Sequence, residues 1–367
     1  HSSMLSLDRG TGRVTVQAGM TIAALNKALA AAGLALPNLG DIAYQTISGA
    51  ISTATHGTGI RFGGIATQVV GLEVVTADGS VVHCSPEVEP ELFACARVGL
   101  GALGVLSSVT LQAVPAFHLH AVEEPMRLPS VLRDLDRHIA ANDHFELMYV
   151  PHTEWALTKR NNRTDGPVGG MPRWKWAWQK GVMENVAFGA LCRIGRRRPS
   201  LIPRLATALP SSGRVEYVEV AHRVFTSPRW VHFYEMEYSV PRAAAVEAVE
   251  RVRAFIDTSG LRISFPVEVR FTAADDIPLS TAYGGERCYI AVHVYRGMEH
   301  ERYFRGVEEI MRSLAGRPHW GKLHFRTAAD LAPVYPEWDR FQAVRRKADP
   351  DGVFANDYLD RVLGPCV

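Results

Sequence analysis

The sequence predicts an α+β protein, because two kinds of hydrophobic pattern alternate along its 367 residues. Segments in which valine alternates with polar residues, such as 13–17, have the period of a half-buried strand. Segments such as 246–256 repeat apolar residues every three or four positions, which is the period of an amphipathic helix. The length allows two domains, and the second half of the chain predicts a mainly antiparallel sheet covered by helices on one side.

The composition excludes several classes of protein. A hydrophobic fraction of 47% with 21% charged residues is ordinary for a globular protein. The 40 basic and 38 acidic residues give a net charge of +2, which does not favour a nucleic-acid partner. The five cysteines have no CxxC spacing, so we expect a reducing, cytoplasmic environment and neither a zinc ribbon nor a disulfide framework. No segment reaches the roughly 18 apolar residues of a membrane span.

The N-terminal part of the chain predicts strands around one helix. Valines alternate with polar residues beside the turn-forming segment 8–12, which indicates a strand pair. Thr21 is placed to cap a helix over 22–32, and Gly33 is placed to end it. A hairpin is predicted over 68–84.

The segment 45–59 organises the rest of the chain. Its sequence, QTISGAISTATHGTG, holds three glycines, six Ser or Thr residues and one histidine, with no carboxylate, lysine or arginine. Many of its backbone N–H groups can therefore point at a polar, anionic ligand. A flexible surface loop has a similar composition. A short packed helix is favoured by apolar residues at helix-like spacing, which are Ile47, Ala50, Ile51 and Ala54.

A second glycine-rich segment, 99–104, has the GxGxxG pattern of dinucleotide-binding folds. A helical pattern precedes it and a strand pattern over 105–114 follows it, which is the reverse of the order in those folds. We therefore expect either a tight turn from a helix into a strand or a second approach of the backbone to a bound ligand.

The segments 40–42 and 45–59 resemble the flavin-contacting segment of the vanillyl-alcohol-oxidase superfamily, and Gly-Ala-Leu-Gly-Val at 101–105 also occurs there. More narrowly, they are similar to the sugar-lactone oxidoreductases, which act on gulono-, galactono- or arabinono-1,4-lactone, and to the alditol oxidases. The resemblance implies an FAD-binding domain of that superfamily's type, followed by a cap domain. The residues that it implies for binding FAD are Gln45, Ser48, Gly49, Ser52, Thr53, His56, Gly57, Thr58, Gly59, Gly104 and Val105.

The family also has a G-x-G-H-S type loop for the flavin pyrophosphate, and often a histidine bonded covalently to the flavin. Both lie upstream of the position that matches Thr11, so we expect this N-terminal lobe to be missing, or His1 and Ser2 to be its last residues. Whether the FAD is covalently attached is left open. His56 by itself is typical of a structural histidine.

A domain boundary is expected at Pro115. We expect a flavin domain over 1–115, a substrate-binding cap domain over 116–325 and a C-terminal segment over 326–367 that returns to the flavin domain. The helices predicted beyond the boundary are 130–141, 241–260, 299–314 and 338–346, and the strands are 144–150, 231–240, 262–272 and 287–295.

The segment 159–204 is basic and irregular in pattern, with Trp174, Trp176 and Trp178 at spacing two and three arginines at 196–198. Basic residues interleaved with aromatic residues can bind nucleic acid, but the nearly neutral chain does not support this interpretation. We expect a solvated face with an aromatic packing stripe, or a segment that attaches to a membrane or covers the active site.

Glu268 and Arg270 stand two residues apart on a predicted strand, so they share one face of the sheet. Such pairs commonly form a solvated cross-strand ion pair. The sugar-lactone and alditol oxidoreductases carry Glu-x-Arg on the strand that faces the flavin. The resemblance therefore implies that Arg270 stabilises negative charge on the reduced flavin, and that Glu268 binds and orients substrate hydroxyls.

The segment 319–322, His-Trp-Gly-Lys, resembles a family segment at the active site, although alone it could be a turn with a packed tryptophan. The resemblance implies that Lys322 contacts a substrate hydroxyl or the flavin, whereas His319 is expected to be structural. His293 is a further candidate for the substrate pocket. Alditol oxidases have a substrate-binding serine where this chain has Ala50, which favours a lactone.

The segment 354–358 resembles the family's C-terminal tail, which runs back towards the flavin domain, although an ordinary loop would have a similar sequence. For the whole chain we expect FAD-dependent oxidation of the C2 alcohol of a sugar 1,4-lactone, with oxygen, a cytochrome or a quinone as the electron acceptor. No metal is expected. The alternatives are an alditol oxidase that acts on xylitol or sorbitol, and a non-catalytic module that lacks a complete flavin site.

Overall fold

The computed structural model describes residues 2–172, 174, 177–208 and 213–366, so His1 and Trp176 lie outside the described residues. Its strands form a five-stranded sheet, an eight-stranded sheet and a two-stranded ribbon. The strands are β1 (Met4–Asp8), β2 (Arg13–Gln17), β3 (Leu34–Ala35), β4 (Val69–Val75), β5 (Val81–Cys84), β6 (Val105–Gln112), β7 (Val114–Pro115), β8 (His118–Arg127), β9 (His144–Tyr149), β10 (Trp155–Thr164), β11 (Val215–Val220), β12 (Phe233–Pro241), β13 (Val267–Thr272), β14 (Arg287–Tyr295) and β15 (Arg317–Pro318).

Helices connect and cover these strands. The α-helices are α1 (Ile22–Ala31), α2 (Ile47–Ser52), α3 (Pro90–Ala96), α4 (Leu128–Arg133), α5 (Leu135–Ala140), α6 (Phe188–Arg197), α7 (Ile202–Ala208), α8 (Ala221–Phe225), α9 (Ala245–Thr258), α10 (Glu301–Ser313), α11 (Ala328–Leu331), α12 (Trp338–Ala348) and α13 (Asp357–Leu363). Shorter 3₁₀ turns are Ile65–Gln68, Pro199–Leu201, Arg242–Ala244 and Ala332–Val334, and Ala177–Ala187 is a π-helix.

The five-stranded sheet has the order β1-β2-β6-β4-β5 and is antiparallel throughout. The predicted strand pair and hairpin are both confirmed, because β1 pairs with β2 and β4 pairs with β5. The helix predicted over 22–32 is confirmed as α1, and the Thr21 side chain accepts a hydrogen bond from the amide of Ala24 at 3.2 Å. The segment 99–104 connects α3 to β6, so the expected turn from a helix into a strand is also confirmed.

The organising segment forms α2 and then an irregular stretch, 53–59. Ile47 and Ala50 are fully buried, so the predicted short packed helix is confirmed and the flexible surface loop is wrong. A Cβ atom at Gly57 would lie 2.2 Å from the carbonyl oxygen of Leu39. Glycine is therefore required where this stretch passes its neighbour.

The eight-stranded sheet has the order β11-β8-β10-β9-β13-β14-β12-β15, and all its pairs are antiparallel. Successive side chains point to opposite faces of a sheet. One face carries Met236, Val269 and Val292, which are fully buried in the same apolar cluster as residues of α9 and α10. The predicted antiparallel sheet with helices on one side is thus confirmed. The opposite face, here called the polar face, meets the segment 53–59.

Two predicted boundaries in this part of the chain are wrong. The helix predicted over 130–141 is divided into α4 and α5 at Asp134, whose φ of −102° and ψ of 19° are not helical. The Asp134 side chain makes no capping hydrogen bond to α5, so the break consists of the change in backbone angles. The strand predicted over 262–272 begins at Val267, because Pro266 has no N–H to donate to a neighbouring strand.

The segment 159–204 is more regular than expected, since it contains the end of β10, the π-helix and α6. Pro241, which was expected to begin a helix, is the last residue of β12, and a 3₁₀ turn separates it from α9. Its φ of −50° and ψ of 138° show that the angle fixed by the proline ring suits a strand end as well as a helix start.

The C-terminal segment packs into the core of the five-stranded sheet. Leu331, Phe341 and Leu359 belong to the same buried cluster as Val14 and Val109. On this basis we propose the division into a flavin domain over 1–115, a cap domain over 116–325 and a returning segment over 326–367.

Candidate active site

The polar face gathers ionisable side chains from neighbouring strands. In the register of the sheet, Glu268 on β13 and Glu237 on β12 both lie opposite Ala291 of the intervening β14. Glu235 lies opposite His293 on the same face. Side chains that face each other in this way lie within contact distance.

Arg270 is shared among three carboxylates on or beside this face. Its Nη2 donates to Glu268 Oε1 at 2.7 Å and lies 3.6 Å from Asp41 Oδ1. Its Nε donates to Glu146 Oε2 at 3.1 Å. Because Glu268 and Arg270 are each 8% exposed, they do not form the solvated pair that is common on sheet surfaces.

Two further cations stabilise two of these carboxylates. Lys159 Nζ lies 3.1 Å from Glu146 Oε1, and Arg229 donates to Asp41 Oδ2 at 2.7 Å. Burial raises the pKa of both carboxyls, but these cations and Arg270 outweigh it. The pKa of Glu146 is therefore lowered to about 2, and that of Asp41 also falls well below its usual range.

The pKa of Glu268 shifts in the opposite direction. Burial raises its pKa above the usual range, Arg270 counteracts the rise, and the negative charges of Asp41 and Glu146 add to it. Among the described residues, Arg270 is the only cation that contacts it. A carboxyl group with a raised pKa is suited to accept and release a proton near neutral pH.

The stretch 53–59 is hydrogen-bonded to the eight-stranded sheet beside Arg270. The amide of Gly59 donates to the carbonyl oxygen of Phe271 at 2.7 Å. The Thr58 hydroxyl donates to the carbonyl oxygen of Phe145 at 2.5 Å and accepts from the amide of Phe271 at 3.2 Å. These bonds fix the stretch at the polar face.

Three consecutive backbone amides in this stretch are free to bind a ligand. His56, Gly57 and Thr58 are buried, and within the described part of the chain their N–H groups have no hydrogen-bond acceptor. Buried N–H groups normally find a partner. The carbonyl oxygens and ring nitrogens of a flavin are suitable acceptors, so these residues fit the FAD that the sequence implies.

The structure places the other expected flavin contacts of this region, together with the expected substrate contact Ala50, within or beside α2. These residues are Gln45, Ser48, Gly49, Ala50, Ser52 and Thr53. The Thr53 hydroxyl donates to the carbonyl oxygen of Gly49 at 2.9 Å, and Ala50 is fully buried in the apolar core. Their contact with FAD or substrate stays a prediction.

Gly104 and Val105 lie where the chain enters β6. A Cβ atom at Gly104 would lie 2.6 Å from the carbonyl oxygen of Val75, and the Val105 side chain is 58% exposed. Packing against β4 therefore explains the glycine, and a flavin contact at these two residues stays a prediction.

Lys322 is held at the edge of the polar face, where it forms an ion pair with Glu235. The preceding Trp320 is buried, and its Nε1 donates to the carbonyl oxygen of Leu279 at 2.7 Å. The Tyr358 hydroxyl donates to the carbonyl oxygen of Trp320 at 2.8 Å. The C-terminal segment 354–358 thus supports the segment that carries Lys322.

His56, Glu237 and His319 form a buried cluster whose potential ligand atoms lie within 4.8 Å of one another. His56 Nε2 lies 3.2 Å from Glu237 Oε1, and its Nδ1 lies 2.8 Å from the carbonyl oxygen of Gly57. Burial lowers the pKa of His319 to about 4, and its Nδ1 accepts from the amide of Gly321 at 3.1 Å. The expectation that no metal binds stays a prediction.

Sequence reasoning missed Glu146, Glu235 and Glu237. The last two have the same two-residue spacing on a predicted strand that identified Glu268 and Arg270, so this signal could have found them. Glu146 contacts Arg270 across 124 residues of sequence, for which no local pattern exists.

Two family descriptions match this sequence. Residues 109–362 match the family described as D-arabinono-1,4-lactone oxidase, and residues 1–85 match an FAD binding domain.

Named relatives and solved structures cover nearly the whole chain. The L-gulono-1,4-lactone dehydrogenase of Mycobacterium tuberculosis is 49% identical over 99% of this chain and 84% of its own length. The L-gulonolactone oxidase of Bos taurus is 37% identical, with 98% and 83% covered, and the alditol oxidase of a Streptomyces species is 31% identical, with 97% and 82% covered. A solvent-stable cholesterol oxidase has the same fold, with a TM-score of 0.80 at 19% identity over 99% of this chain and 84% of that one.

Proposed function

Because this chain belongs to the D-arabinono-1,4-lactone oxidase family and carries an FAD binding domain, we propose that it oxidises the C2 alcohol of a sugar 1,4-lactone. The product is ascorbate-like, and the substrate class comprises L-gulono-, L-galactono- and D-arabinono-1,4-lactone. Bound FAD supplies the acceptor for the hydride that leaves the substrate carbon.

The observation that carries this proposal is the buried Glu268–Arg270 pair beside the free amides of residues 56–58. A flavin bound here would gain negative charge on reduction, and a fixed guanidinium with oriented N–H groups would stabilise that charge without reorganisation. We assign this role to Arg270. Glu268, with its raised pKa, accepts the hydroxyl proton, and Lys322 orients the substrate oxygens.

The electron acceptor of the second half-reaction is oxygen, a cytochrome or a quinone. The relatives are named both oxidase and dehydrogenase, and both names are compatible with the same oxidation of the lactone.

Two alternative functions are an alditol oxidase and a non-catalytic module. Oxidation of xylitol or sorbitol is the nearer alternative, because an alditol oxidase is among the relatives, although Ala50 stands where alditol oxidases have a serine. A non-catalytic module is the other alternative. The buried network around Arg270 argues against it, because such a network is costly to retain without use.

The proposed function is tested by anaerobic visible spectra of the FAD-loaded protein, with L-gulono-1,4-lactone in one cuvette and xylitol in another. We expect the lactone alone to bleach the flavin band. Bleaching by xylitol instead would establish the alditol alternative, and a protein that never shows a flavin band would be the non-catalytic module.

Replacing Arg270 by alanine should slow flavin reduction by about 10²–10³-fold with FAD still bound, because the charge that arrives on the ring loses its cation. Stopped-flow absorbance under anaerobic conditions measures the rate. The change also leaves buried carboxylates unpaired, which costs about 3–5 kcal/mol of folding free energy. The double variant Arg270→Ala with Glu268→Gln removes one of these charges and serves as the control for stability. An unchanged reduction rate would show that Arg270 lacks the assigned role.

The raised pKa of Glu268 predicts the pH dependence of flavin reduction. The reduction rate should rise with pH as Glu268 loses its proton, and the midpoint should lie above the ordinary glutamate value of 4.5. Glu268→Gln should remove this rise, whereas Glu286→Gln, at an exposed position before β14, should retain it. A rise that survives in Glu268→Gln would assign the proton to another group.

We also propose that this protein is cytoplasmic and that it attaches peripherally to membranes. The attachment would use the segment 177–198, which contains the π-helix and α6. None of the described helices is long and apolar enough to cross a membrane. The segment exposes Trp178, Val186 and Ile194 at 56%, 54% and 47% beside the exposed arginines 196–198. Exposed apolar side chains combined with cationic ones are suited to an anionic lipid surface.

Sedimentation with vesicles tests this attachment. We expect the protein to pellet with vesicles that contain phosphatidylserine more than with pure phosphatidylcholine, and Trp178→Ala with Ile194→Ala should weaken the binding. The matched control is Trp155→Ala, which removes a tryptophan that is 45% exposed on β10, outside this segment. Equal pelleting of all proteins with both lipids would contradict the proposal.

A further inference from the structure

Glu235 links two cations at the edge of the polar face. Its Oε2 forms an ion pair with Lys322 Nζ, and its Oε1 lies 3.4 Å from His293 Nε2. The Glu235 side chain is only 15% exposed. Burial raises its pKa, but Lys322 and then His293 outweigh that effect and lower the pKa to about 2. Glu235 is therefore an anion whose two oxygens are each committed to a different cation.

The contacts of His293 show that it is one of these cations. Its Nδ1 lies 3.2 Å from the carbonyl oxygen of Pro266, and its Nε2 faces Glu235. A carbonyl oxygen and a carboxylate are both acceptors, so both ring nitrogens must carry hydrogen. Burial lowers the pKa of this imidazole, but Glu235 more than compensates and raises it. With both nitrogens occupied, His293 supports Glu235 and has no N–H left for a substrate.

Lys322 depends on Glu235 for its position. A lysine ammonium sits on a flexible chain of four methylene groups and loses its charge readily when it is buried. Within the described residues, Glu235 is the carboxylate that contacts Lys322. Burial lowers the pKa of Lys322, whereas Glu235 and Glu237 raise it above the ordinary 10.5.

We propose that Glu235 is a positioning residue for the oxidation, which holds Lys322 protonated and aimed at the substrate while His293 holds Glu235 in turn. This inference rests on the proposed function, because Lys322 is the residue that would meet the substrate oxygens. In this row of three side chains, Glu235 carries a negative charge between the positive charges of His293 and Lys322. The row therefore presents a net positive charge beside Glu268, where a substrate hydroxyl gives up its proton.

The backbone contacts make the side chain of Glu235 separable from the fold. The amide of Leu323 donates to the backbone carbonyl oxygen of Glu235 at 3.0 Å, and the amide of His319 donates to that of Glu237 at 2.9 Å. These bonds hold the segment 319–323 against β12 whatever the side chain at position 235. Glu235→Gln keeps the shape and the backbone bonds and removes only the charge.

The test measures the rate of flavin reduction by L-gulono-1,4-lactone against pH in the FAD-loaded protein. We expect Glu235→Gln to reduce the rate by about tenfold to a hundredfold, as misplaced substrate-orienting groups do. Because Lys322 must be protonated to orient the substrate, we also expect the rate to fall at alkaline pH as Lys322 loses its proton. In Glu235→Gln, Lys322 and His293 lose the anion that raises their pKa, so this fall should move to lower pH by about one unit or more.

Other titratable groups face this position and stay the same in the comparison. They are Glu237 on β12, Glu268 on β13, His319 beside Lys322, and Asp41 and His56 from the flavin domain. Glu216→Gln, at the far edge strand β11 of the same sheet, is the matched control and should leave both the rate and the pH profile unchanged.

A double-mutant cycle identifies Lys322 as the group through which Glu235 acts. If it acts in this way, adding Glu235→Gln to Lys322→Gln should cause little further loss, because the residue that it positions is already gone. Losses that multiply in the double variant would overturn the proposal. The proposal would also be overturned if Glu235→Gln showed the same rate of flavin reduction, and the same fall of that rate at alkaline pH, as the unchanged protein.

Glu235→Asp provides a second variant that keeps the charge on a shorter side chain. In this variant the rate of flavin reduction should fall at the same alkaline pH as in the unchanged protein, and the rate itself should lie between those of Glu235→Gln and the unchanged protein. Glu235→Asp also takes the place of Glu235→Gln if that variant does not fold. A profile that moves equally in Glu235→Asp and Glu235→Gln would contradict the role of the charge. If the lactone does not reduce the flavin of the unchanged protein, the proposed function fails, which is a distinct result.

Discussion

The balance of charge on the polar face is the constraint on which the rest of the structure depends. Removing a carboxylate or a guanidinium from water costs several kcal/mol per ion, so every buried ion needs close partners. Arg270 obtains them from separate parts of the chain, since Glu268 and Glu146 lie on the eight-stranded sheet and Asp41 precedes α2. The same side chain therefore joins this sheet to the segment before α2 and defines the candidate active site.

The alternation of side chains in the eight-stranded sheet explains how such a site can exist inside a stable fold. The apolar face is covered by α9 and α10 and supplies the hydrophobic core, so the opposite face need not be apolar. The stretch 53–59 then contacts the polar face through hydrogen bonds from the Gly59 amide and the Thr58 hydroxyl to β13 and β9. Its free amides lie in a place that the surrounding strands hold rigid.

Local patterns predicted most of the elements but only part of the site. The strand pairs, α1, the packed helix α2 and the one-sided sheet follow from period and turn chemistry, which act over a few residues. The same spacing argument found Glu268 and Arg270, and it would have found Glu235 and Glu237. The ion pairs with Glu146 could not be predicted, because they depend on the order of strands in the folded sheet. The break at Asp134 is a local change of backbone angles inside a stretch whose helical period continues, so periodicity does not reveal it.

The fold by itself does not select the substrate, because cholesterol oxidases with different sequences share it. Selection must therefore come from the side chains on the polar face. Glu268 already accepts from Arg270, and Lys322 already donates to Glu235. An apolar ligand would leave the remaining acceptor and donor positions of Glu268 and Lys322 desolvated and unpaired, which is costly for buried ions. A ligand with several hydroxyl groups can satisfy them. The arrangement that makes Arg270 and Lys322 useful for charge stabilisation thus also requires a polar, hydroxyl-rich substrate, and a sugar lactone meets both conditions.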